Sequence, residues 1–286
     1  MISISLSNIK KSYGENNVLK GISLTFNCGK GNIIGVIGKN GSGKSTLFKI
    51  LAKIDKSFIG ELGIETKEQV RLGFLPEDRS LAKLGNIQDI LTLWARIQSV
   101  PAKKIQKAVE RWLVKTNLWS NRLDKISSLS KGNQQKLQLA CALIHEPNLI
   151  IFDEPFSGLD PNNQELVIEI LSEFRNSGAL IFLSAHQLEL VERIANQCFL
   201  LLDGNLEVIE SSTENLQNEL VIECYRPQLL QGIPIAKYKG AFYFIELDKI
   251  SLLHKNILLD LFSNQEIKVA QTRSLRNIFL QKVQAG

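Results

Sequence analysis

The residues with the clearest potential for chemistry form one glycine-rich segment, Gly38-Lys39-Asn40-Gly41-Ser42-Gly43-Lys44-Ser45-Thr46. It matches the pattern Gly-x-x-x-x-Gly-Lys-Ser/Thr in full, between the apolar residues 33–37 and a helix-like stretch over 44–54. Glycines let successive backbone N–H groups point into one concavity, and the N-terminus of the following helix favours anions there. The segment predicts a phosphate-binding loop. A glycine-rich turn without a ligand is the alternative.

Two side chains of this loop have a predicted role of their own. Lys44 is placed to reach the β- and γ-phosphates of a nucleoside triphosphate, and the Ser45 hydroxyl is placed to ligate Mg²⁺. The expected cofactors are therefore a nucleoside triphosphate and Mg²⁺.

Two adjacent carboxylates, Asp153 and Glu154, directly follow the apolar residues 149–152, which predict a buried strand of a parallel sheet. Open α/β sheets bind ligands at the carboxyl ends of their strands. Beside a phosphate loop, one carboxylate can hold Mg²⁺ while the other accepts a proton from an attacking water. A solvated acidic loop is the alternative.

Two further residues are candidates because of their position. His186 follows a predicted strand over 179–184 and could reach a terminal phosphate; a structural histidine is the alternative. Tyr13 lies in a turn-rich stretch, 11–17, between predicted strands over 2–9 and 18–26. Its ring could stack on a nucleobase, or it could pack on its own strand.

Length, composition and charge limit the kinds of protein that this chain can be. The chain has 286 residues, enough for more than one domain, with 44% hydrophobic and 22% charged residues, as in a soluble globular protein. The net charge of +5 is dispersed, which favours a solvated surface over a nucleic-acid or membrane-binding patch. The four cysteines contain no Cys-x-x-Cys pair, which argues against zinc or a disulfide framework. No apolar stretch is long enough to span a membrane, so we expect a cytoplasmic chain.

The remaining pattern alternates strands and helices, which predicts an α/β fold around a parallel sheet. We expect irregular structure over 56–69, a strand over 70–75, and two helices over 87–116 divided at Pro101. Trp94, Trp112 and Trp119 are expected to form the core of that helical insertion. Ser130 is a good N-cap for the next helix. The later elements are a helix over 162–175, a helix over 187–196, and paired strands over 198–202 and 205–210.

These elements, in this order, resemble the ATP-binding subunit of an ATP-binding cassette (ABC) transporter over residues 1–215. The most specific segment is Leu129-Ser130-Lys131-Gly132-Asn133, which is similar to the signature Leu-Ser-Gly-Gly-Gln of that family. The resemblance implies a phosphate-loop ATPase core with a parallel sheet, an antiparallel β subdomain, and a helical subdomain over about 80–147.

The resemblance also implies roles for single residues. Residues 38–46 would cradle the phosphates of ATP, and Tyr13 would stack on adenine. Asp153 would organise Mg²⁺, Glu154 would be the general base, and His186 would sense the γ-phosphate. Asp160 would belong to a loop that communicates across a dimer.

The signature implies that two copies meet. In this family its serine and glycine, here Ser130 and Gly132, close over the ATP held by the phosphate loop of the other subunit. A head-to-tail homodimer, or a pair with a related subunit, would then enclose two ATP molecules. A serine at a helix N-terminus is, on physical grounds too, an anion site in need of a ligand.

The sequence departs from the family pattern at three positions. Lys131 and Asn133 replace a glycine and a glutamine of the signature, and Glu77 stands where a glutamine usually follows the strand over 70–75. A carboxylate at Glu77 can still approach Mg²⁺. The signature, the segment Leu75-Pro76-Glu77-Asp78-Arg79 and the extra tail are similar to a bacterial and archaeal branch of sodium and drug exporters.

The function implied is ATP hydrolysis that energises export through a separate transmembrane permease, from the cytoplasmic face of the plasma membrane. No nucleic-acid partner is expected. The alternative is a soluble ABC ATPase that acts on nucleic acid or the ribosome. Residues 219–286 predict a small accessory α/β domain with strands over 220–224, 242–247 and 267–270 and helices over 252–262 and 274–280.

Overall fold

A computed structural model describes residues 2–27, 31–77, 85–209, 219–246 and 249–272. The chain divides into two compact units, Met1–Ile209 and Glu210–Gly286. Within the described ranges, no helix combines the length and the apolar character that a membrane crossing requires. The predicted helix over 274–280 and the residues Asp78 and Arg79 lie outside the described residues.

The first unit is built on a six-stranded sheet with the order β5-β6-β7-β3-β8-β9. The first five strands in that order are parallel, and β9 pairs antiparallel to β8 through the turn at Asp203 and Gly204. The three central strands are almost wholly apolar and buried, as strands covered on both faces must be. Their bounds are β3 Asn32–Ile37, β5 Leu72–Leu75, β6 Leu149–Phe152, β7 Leu180–Ser184, β8 Gln197–Leu202 and β9 Asn205–Ile209.

A second, antiparallel sheet of this unit has the order β2-β1-β4, with β1 Ile2–Tyr13, β2 Asn16–Asn27 and β4 Ile59–Thr66. Two expectations were wrong here. Residues 11–13 continue the first strand rather than forming a turn, because they pair with β2 up to the Gly14-Glu15 reversal. Residues 59–66 form an edge strand rather than irregular structure, because they pair with β1 over most of their length.

The described part of the first unit contains six α-helices, and the predicted break at Pro101 separates two of them. Trp112 is buried and stacks on Phe174, with ring centroids 6.3 Å apart. Trp119 is 44% exposed and Trp94 only partly buried, so the three tryptophans do not form one core as expected. The helices are α1 Lys44–Leu51, α2 Ile87–Ile97, α3 Ala102–Lys115, α4 Lys131–Leu143, α5 Pro161–Asn176 and α6 Leu188–Ile194, with a 3-10 turn over Ile126–Ser128.

The second unit contains an antiparallel sheet of order β11-β12-β10-β13 and one described α-helix, α7 Leu252–Ser263. Its strands are β10 Glu219–Glu223, β11 Lys237–Lys239, β12 Phe242–Glu246 and β13 Lys268–Thr272, and a 3-10 turn spans Pro227–Leu230. A small core joins the sheet to the helix through residues such as Ile222, Ile245 and Leu258. Strand β11 was not predicted, since three residues carry no recognisable alternation.

Three phenylalanines join the two sheets of the first unit. The Phe26 ring of β2 meets Phe182 of β7 edge to face at 4.9 Å and Phe199 of β8 at 5.2 Å. Phe26 is 2% exposed, so its contacts are almost entirely with the core.

We expect Phe26→Ala to lower the free energy of unfolding by about 3–5 kcal/mol, because it removes a buried aromatic ring and leaves a cavity between two sheets. Urea denaturation measures the loss. The control is Leu123→Ala, at a side chain that is 66% exposed, which should change stability by less than about 0.5 kcal/mol. Equal effects in the two variants would contradict the assignment of Phe26 to the core.

Candidate nucleotide-binding and hydrolysis site

The ends of β3, β6 and β7 meet at one edge of the parallel sheet, where a cavity of about 360 Å³ opens. Most of the predicted nucleotide, metal and catalytic residues line it together with Val18, which was not predicted. The lining residues are Tyr13, Val18, Asn40, Gly41, Gly43, Lys44, Ser45, Thr46, Glu77, Asp153, Glu154 and His186.

The glycine-rich loop wraps one end of this cavity and leads directly into α1. Gly41 and Gly43 have φ values of 78° and 105°, in the left-handed region that side chains rarely adopt. A Cβ at Gly38 would approach Ser42 Oγ to 2.5 Å and the Leu201 carbonyl oxygen to 2.6 Å. These positions therefore require glycine, and the loop backbone can turn its N–H groups inward as the sequence predicted.

Lys44 is the first residue of α1, and its side chain is only 7% exposed. Its ammonium group donates to the carbonyl oxygens of Gly38 and Lys39, at 2.9 and 3.1 Å. No ion pair joins Lys44 to a carboxylate in the described part of the chain. Burial lowers the pKa of Lys44, while Glu154, Asp153 and Glu77 raise it. A buried cation beside a glycine loop, with no carboxylate in direct contact among the described residues, fits an anionic ligand such as a triphosphate.

Ser184 connects the Asp153 carboxylate to the Glu154 backbone at the end of β6, and sequence reasoning missed it. Its fully buried hydroxyl donates to Asp153 Oδ1 at 2.6 Å and accepts from the Glu154 backbone N–H at 2.9 Å. The only available signal was a hydroxyl at the end of an otherwise apolar buried strand, since a buried polar group needs a partner.

Glu154 is held in an unusual backbone conformation, with φ 55°, that costs of order 1–3 kcal/mol for a residue other than glycine. Its Oε2 accepts from the His186 backbone N–H at 3.0 Å, and its Oε1 lies 3.4 Å from His186 Nε2. Oε1 is buried and has no hydrogen-bond partner among the described residues, as is also true of Ser42 Oγ. Burial raises the pKa of Glu154, while the charges of His186 and Lys44 oppose that rise.

Tyr13, the last residue of β1, lines the cavity with a side chain that is 51% exposed. Its hydroxyl donates to Asp55 Oδ2 at 3.2 Å. The ring is thus held in place beside the phosphate loop.

The three residues expected to act across a dimer lie outside the lining of this cavity. Ser130 caps α4 by accepting from Asn133 N–H at 3.2 Å, as predicted, and is exposed. Asp160 caps α5 by accepting from Asn163 N–H at 3.0 Å. Among the described residues, a Cβ at Gly132 would meet only Leu159, at an ordinary 3.9 Å, so none of them requires glycine there.

The candidate magnesium ligands Ser45, Asp153 and Glu77 line the same cavity. Within the described ranges there is no group of three or more His, Cys, Asp or Glu side chains that could hold a metal. Magnesium does not need one, because it usually keeps several waters and binds one or two carboxylates together with phosphate oxygens. A hydroxyl and two carboxylates beside a phosphate loop fit that preference.

Comparison with known proteins places this site in a family. The ABC transporter family model matches residues 19–157. The chain is 38% identical, over 201 residues, to the uncharacterized ABC transporter ATP-binding protein MJ1023 of Methanocaldococcus jannaschii. The alignment covers 70% of this chain and 74% of that protein. The chain belongs to the family of ABC transporter ATP-binding proteins. As a member it is an ATP-binding, ATP-hydrolysing subunit.

Two further comparisons extend this finding. This chain is 31% identical to the Nod factor export ATP-binding protein I of Rhizobium etli, over 79% of this chain and 74% of that protein. Its fold is similar, with a TM-score of 0.64 and 23% identity, to a dimeric structure of a post-hydrolysis state of the ATP-binding cassette MJ0796 bound to ADP and Pi. That alignment covers 73% of this chain and 98% of that one, and it confirms the predicted phosphate-loop fold.

We expect Glu154 to titrate above 4.5, the ordinary value for a glutamate, since burial disfavours its charged form. The pKa can be measured by carboxyl ¹³C NMR of the nucleotide-free protein, with the resonance assigned by its loss in Glu154→Gln. In His186→Ala the backbone donor remains but the imidazolium charge is gone, so the pKa should rise further. Titration at or below 4.5 would contradict this electrostatic description.

We expect Ser184→Ala to lower the kcat for ATP hydrolysis by about 10-fold or more, because the Asp153 carboxylate and the Glu154 backbone lose the hydroxyl that positions them. The Mg²⁺ concentration for half-maximal rate should rise as well. Steady-state assays against a Ser177→Ala control test this, since the one described hydrogen bond of the Ser177 hydroxyl is to the Phe174 carbonyl at the end of α5. An unchanged kcat and Mg²⁺ dependence in Ser184→Ala would show that the hydroxyl does not position the carboxylates.

Proposed function

We propose that this protein is the ATP-hydrolysing subunit of an exporter and powers transport through a separate transmembrane permease. The observation that carries the proposal is the convergence of a buried lysine, two carboxylates and a histidine on one cavity beside a glycine-rich loop. These groups are the ones that binding and cleaving a terminal phosphate requires.

The binding half of the site is the loop from Gly38 to Thr46. Its backbone N–H groups and the Lys44 ammonium bind the phosphates, because both offer donors to anionic oxygens in a partly buried setting. Ser45, Asp153 and Glu77 hold Mg²⁺, which, when bound, supplies neutralisation of phosphate charge. Ser184 keeps Asp153 oriented through the 2.6 Å hydrogen bond.

The hydrolytic half of the site is the pair Glu154 and His186. Glu154 accepts the proton of the attacking water on Oε1, the buried oxygen that has no hydrogen-bond donor among the described residues. The His186 backbone fixes the other carboxylate oxygen, so the acceptor is aimed rather than free to rotate. The His186 imidazole, 49% exposed, is available to contact the terminal phosphate.

The site is completed by a second copy of the chain or by a related subunit. Ser130 and Gly132 stand at the exposed N-terminus of α4 and do not line their own cavity. The residues that the structure describes give no steric reason for glycine at position 132, whereas close approach of a partner's nucleotide would provide one. The similar cassette MJ0796 is itself dimeric. We therefore place Ser130 and Gly132 over the partner's ATP, with Asp160 at the same junction.

The permease and the direction of transport rest on the relatives. The Rhizobium etli relative is named for Nod factor export, which supports export over action on nucleic acid or the ribosome. The protein then works at the cytoplasmic face of the plasma membrane as a peripheral subunit. Residues 1–215 form its ATPase domain, and residues 219–286 form an accessory α/β domain.

The site assignment is tested with two variants. We expect Lys44→Ala to weaken ATP binding by about 100-fold, because several charge-assisted hydrogen bonds are lost at once. We expect Glu154→Gln to bind ATP within about threefold of wild type but to hydrolyse it at least about 100-fold more slowly. Calorimetry and phosphate-release assays measure these effects.

The control for Lys44 is Lys49→Ala, which removes an exposed lysine from the same helix and should leave binding unchanged. Normal hydrolysis by Glu154→Gln would show that another group is the base. Normal binding by Lys44→Ala would remove the phosphate-loop assignment.

The transport assignment is tested by purification of the tagged protein from mild-detergent extracts of its native membranes. We expect a multi-spanning membrane protein in stoichiometric amount. Recovery with ribosomes or nucleic acid instead would overturn the transport role while leaving the ATPase chemistry intact.

A further inference from the structure

An ion pair between a buried lysine and a partly buried aspartate lies next to Tyr13, outside the phosphate loop and the hydrolytic pair. Lys11 of β1 is 7% exposed, and Asp55, in the segment after α1, is 16% exposed. The Lys11 ammonium lies 2.8 Å from Asp55 Oδ2 and 3.0 Å from Oδ1, and it also donates to the Ser57 carbonyl. A lysine this buried needs such partners, because an unpaired ammonium would be strongly unfavourable.

The same two residues hold the Tyr13 ring. Lys11 and Tyr13 are two residues apart on a strand and so lie on one face. The Lys11 ammonium sits 4.9 Å from the ring centroid, and the Tyr13 hydroxyl donates to Asp55 Oδ2 at 3.2 Å. A cation at one face and a carboxylate at the hydroxyl fix the tilt of the ring and leave its opposite face for another aromatic group.

Asp55 is in turn fixed to the helix that carries the phosphate loop. Its backbone N–H donates to the Lys49 carbonyl at 3.1 Å, and its Oδ1 accepts from the Ser57 N–H at 2.9 Å. The hydrogen bond from Lys11 lowers the pKa of Asp55. The Tyr13 ring is thereby tied to α1, at whose other end Lys44 lies.

An ion pair of this kind gives little net stability, since the desolvation of the buried Lys11 ammonium offsets its attraction to the partly buried Asp55. Stability alone therefore gives no reason for a charged pair here in place of apolar side chains. The geometry it enforces on Tyr13, which lines the nucleotide cavity, does give one.

We propose that Lys11 and Asp55 are positioning residues for nucleotide binding. They hold the Tyr13 ring at the position, relative to the phosphate loop, from which it stacks on the base while the loop binds the phosphates. This inference rests on the proposed stacking of Tyr13 on adenine. It predicts that disrupting the pair affects recognition of the base and leaves recognition of the phosphates intact.

The test compares two Mg²⁺-bound ligands by calorimetry on the full chain: the imido analogue AMP-PNP, which has a base, and inorganic triphosphate, which has none. We expect Tyr13→Phe, Lys11→Met and Asp55→Asn each to weaken AMP-PNP binding by about 3- to 10-fold. Triphosphate binding should stay within about twofold of wild type. Lys11→Arg should restore most of the AMP-PNP affinity, because a guanidinium can still pair with Asp55.

Tyr13→Phe guards against misfolding, since it removes one exposed hydroxyl and keeps the ring. Lys10→Met, at a neighbouring lysine that is exposed, is the matched control and should change neither affinity.

Tyr13→Ala separates the base contact of Tyr13 from the positioning role of Lys11 and Asp55. If it weakens AMP-PNP binding while the Lys11, Asp55 and Tyr13→Phe variants do not, the positioning role is wrong and the base contact stands. If Tyr13→Ala has no effect, the base contact itself is wrong and the inference falls with it. Equal loss for both ligands in the Lys11 and Asp55 variants would mean that the pair supports the whole loop rather than Tyr13, and would also overturn the inference.

Discussion

The parallel pairing of β3, β6 and β7 is the constraint on which the site depends. Val36 lies opposite Ser184, and Phe152 lies opposite Leu183, so the three strands end at nearly the same level. Parallel strands send their carboxyl ends to a single edge, and residues far apart in the chain meet there. The phosphate loop, the two carboxylates and His186 are neighbours for this reason alone. Their apolar strands, buried on both faces, make that edge rigid.

On this rigid edge the protein maintains an unfavourable local arrangement. Glu154 has a left-handed backbone, a buried side chain and a raised pKa, each of which costs free energy in the folded protein. Hydrogen bonds from its backbone N–H to the Ser184 hydroxyl and from the His186 backbone N–H to its Oε2 hold it there. A base needs an aimed carboxylate with some affinity for a proton, and this arrangement provides both. The folded protein is therefore less stable at Glu154 than it could be, because catalysis requires this arrangement.

Much of this site could be predicted from the sequence because its signals are local. The glycine loop, the apolar strands and the residues that follow them are contiguous motifs, and the loop and strand-end residues do lie together. The contacts that were missed join residues far apart in sequence, such as Ser184 with Asp153 and Lys11 with Asp55. Strand β4 was missed because Gly60 and Gly63 interrupt its alternation, although pairing with β1 stabilises it. Trp94 was misjudged since helical spacing does not say which face the rest of the chain covers, and Trp119 lies beyond the end of α3.

The central claim is that one chain carries two incomplete halves of an ATP site, the cavity at the strand ends and the Ser130 end of α4. Sedimentation velocity of Glu154→Gln with saturating Mg²⁺ and either ATP or ADP tests it most directly. The account predicts a dimer with ATP, a monomer with ADP, and loss of the ATP-dependent dimer when Ser130→Ala is added. A protein that binds ATP and remains monomeric with both nucleotides would contradict it.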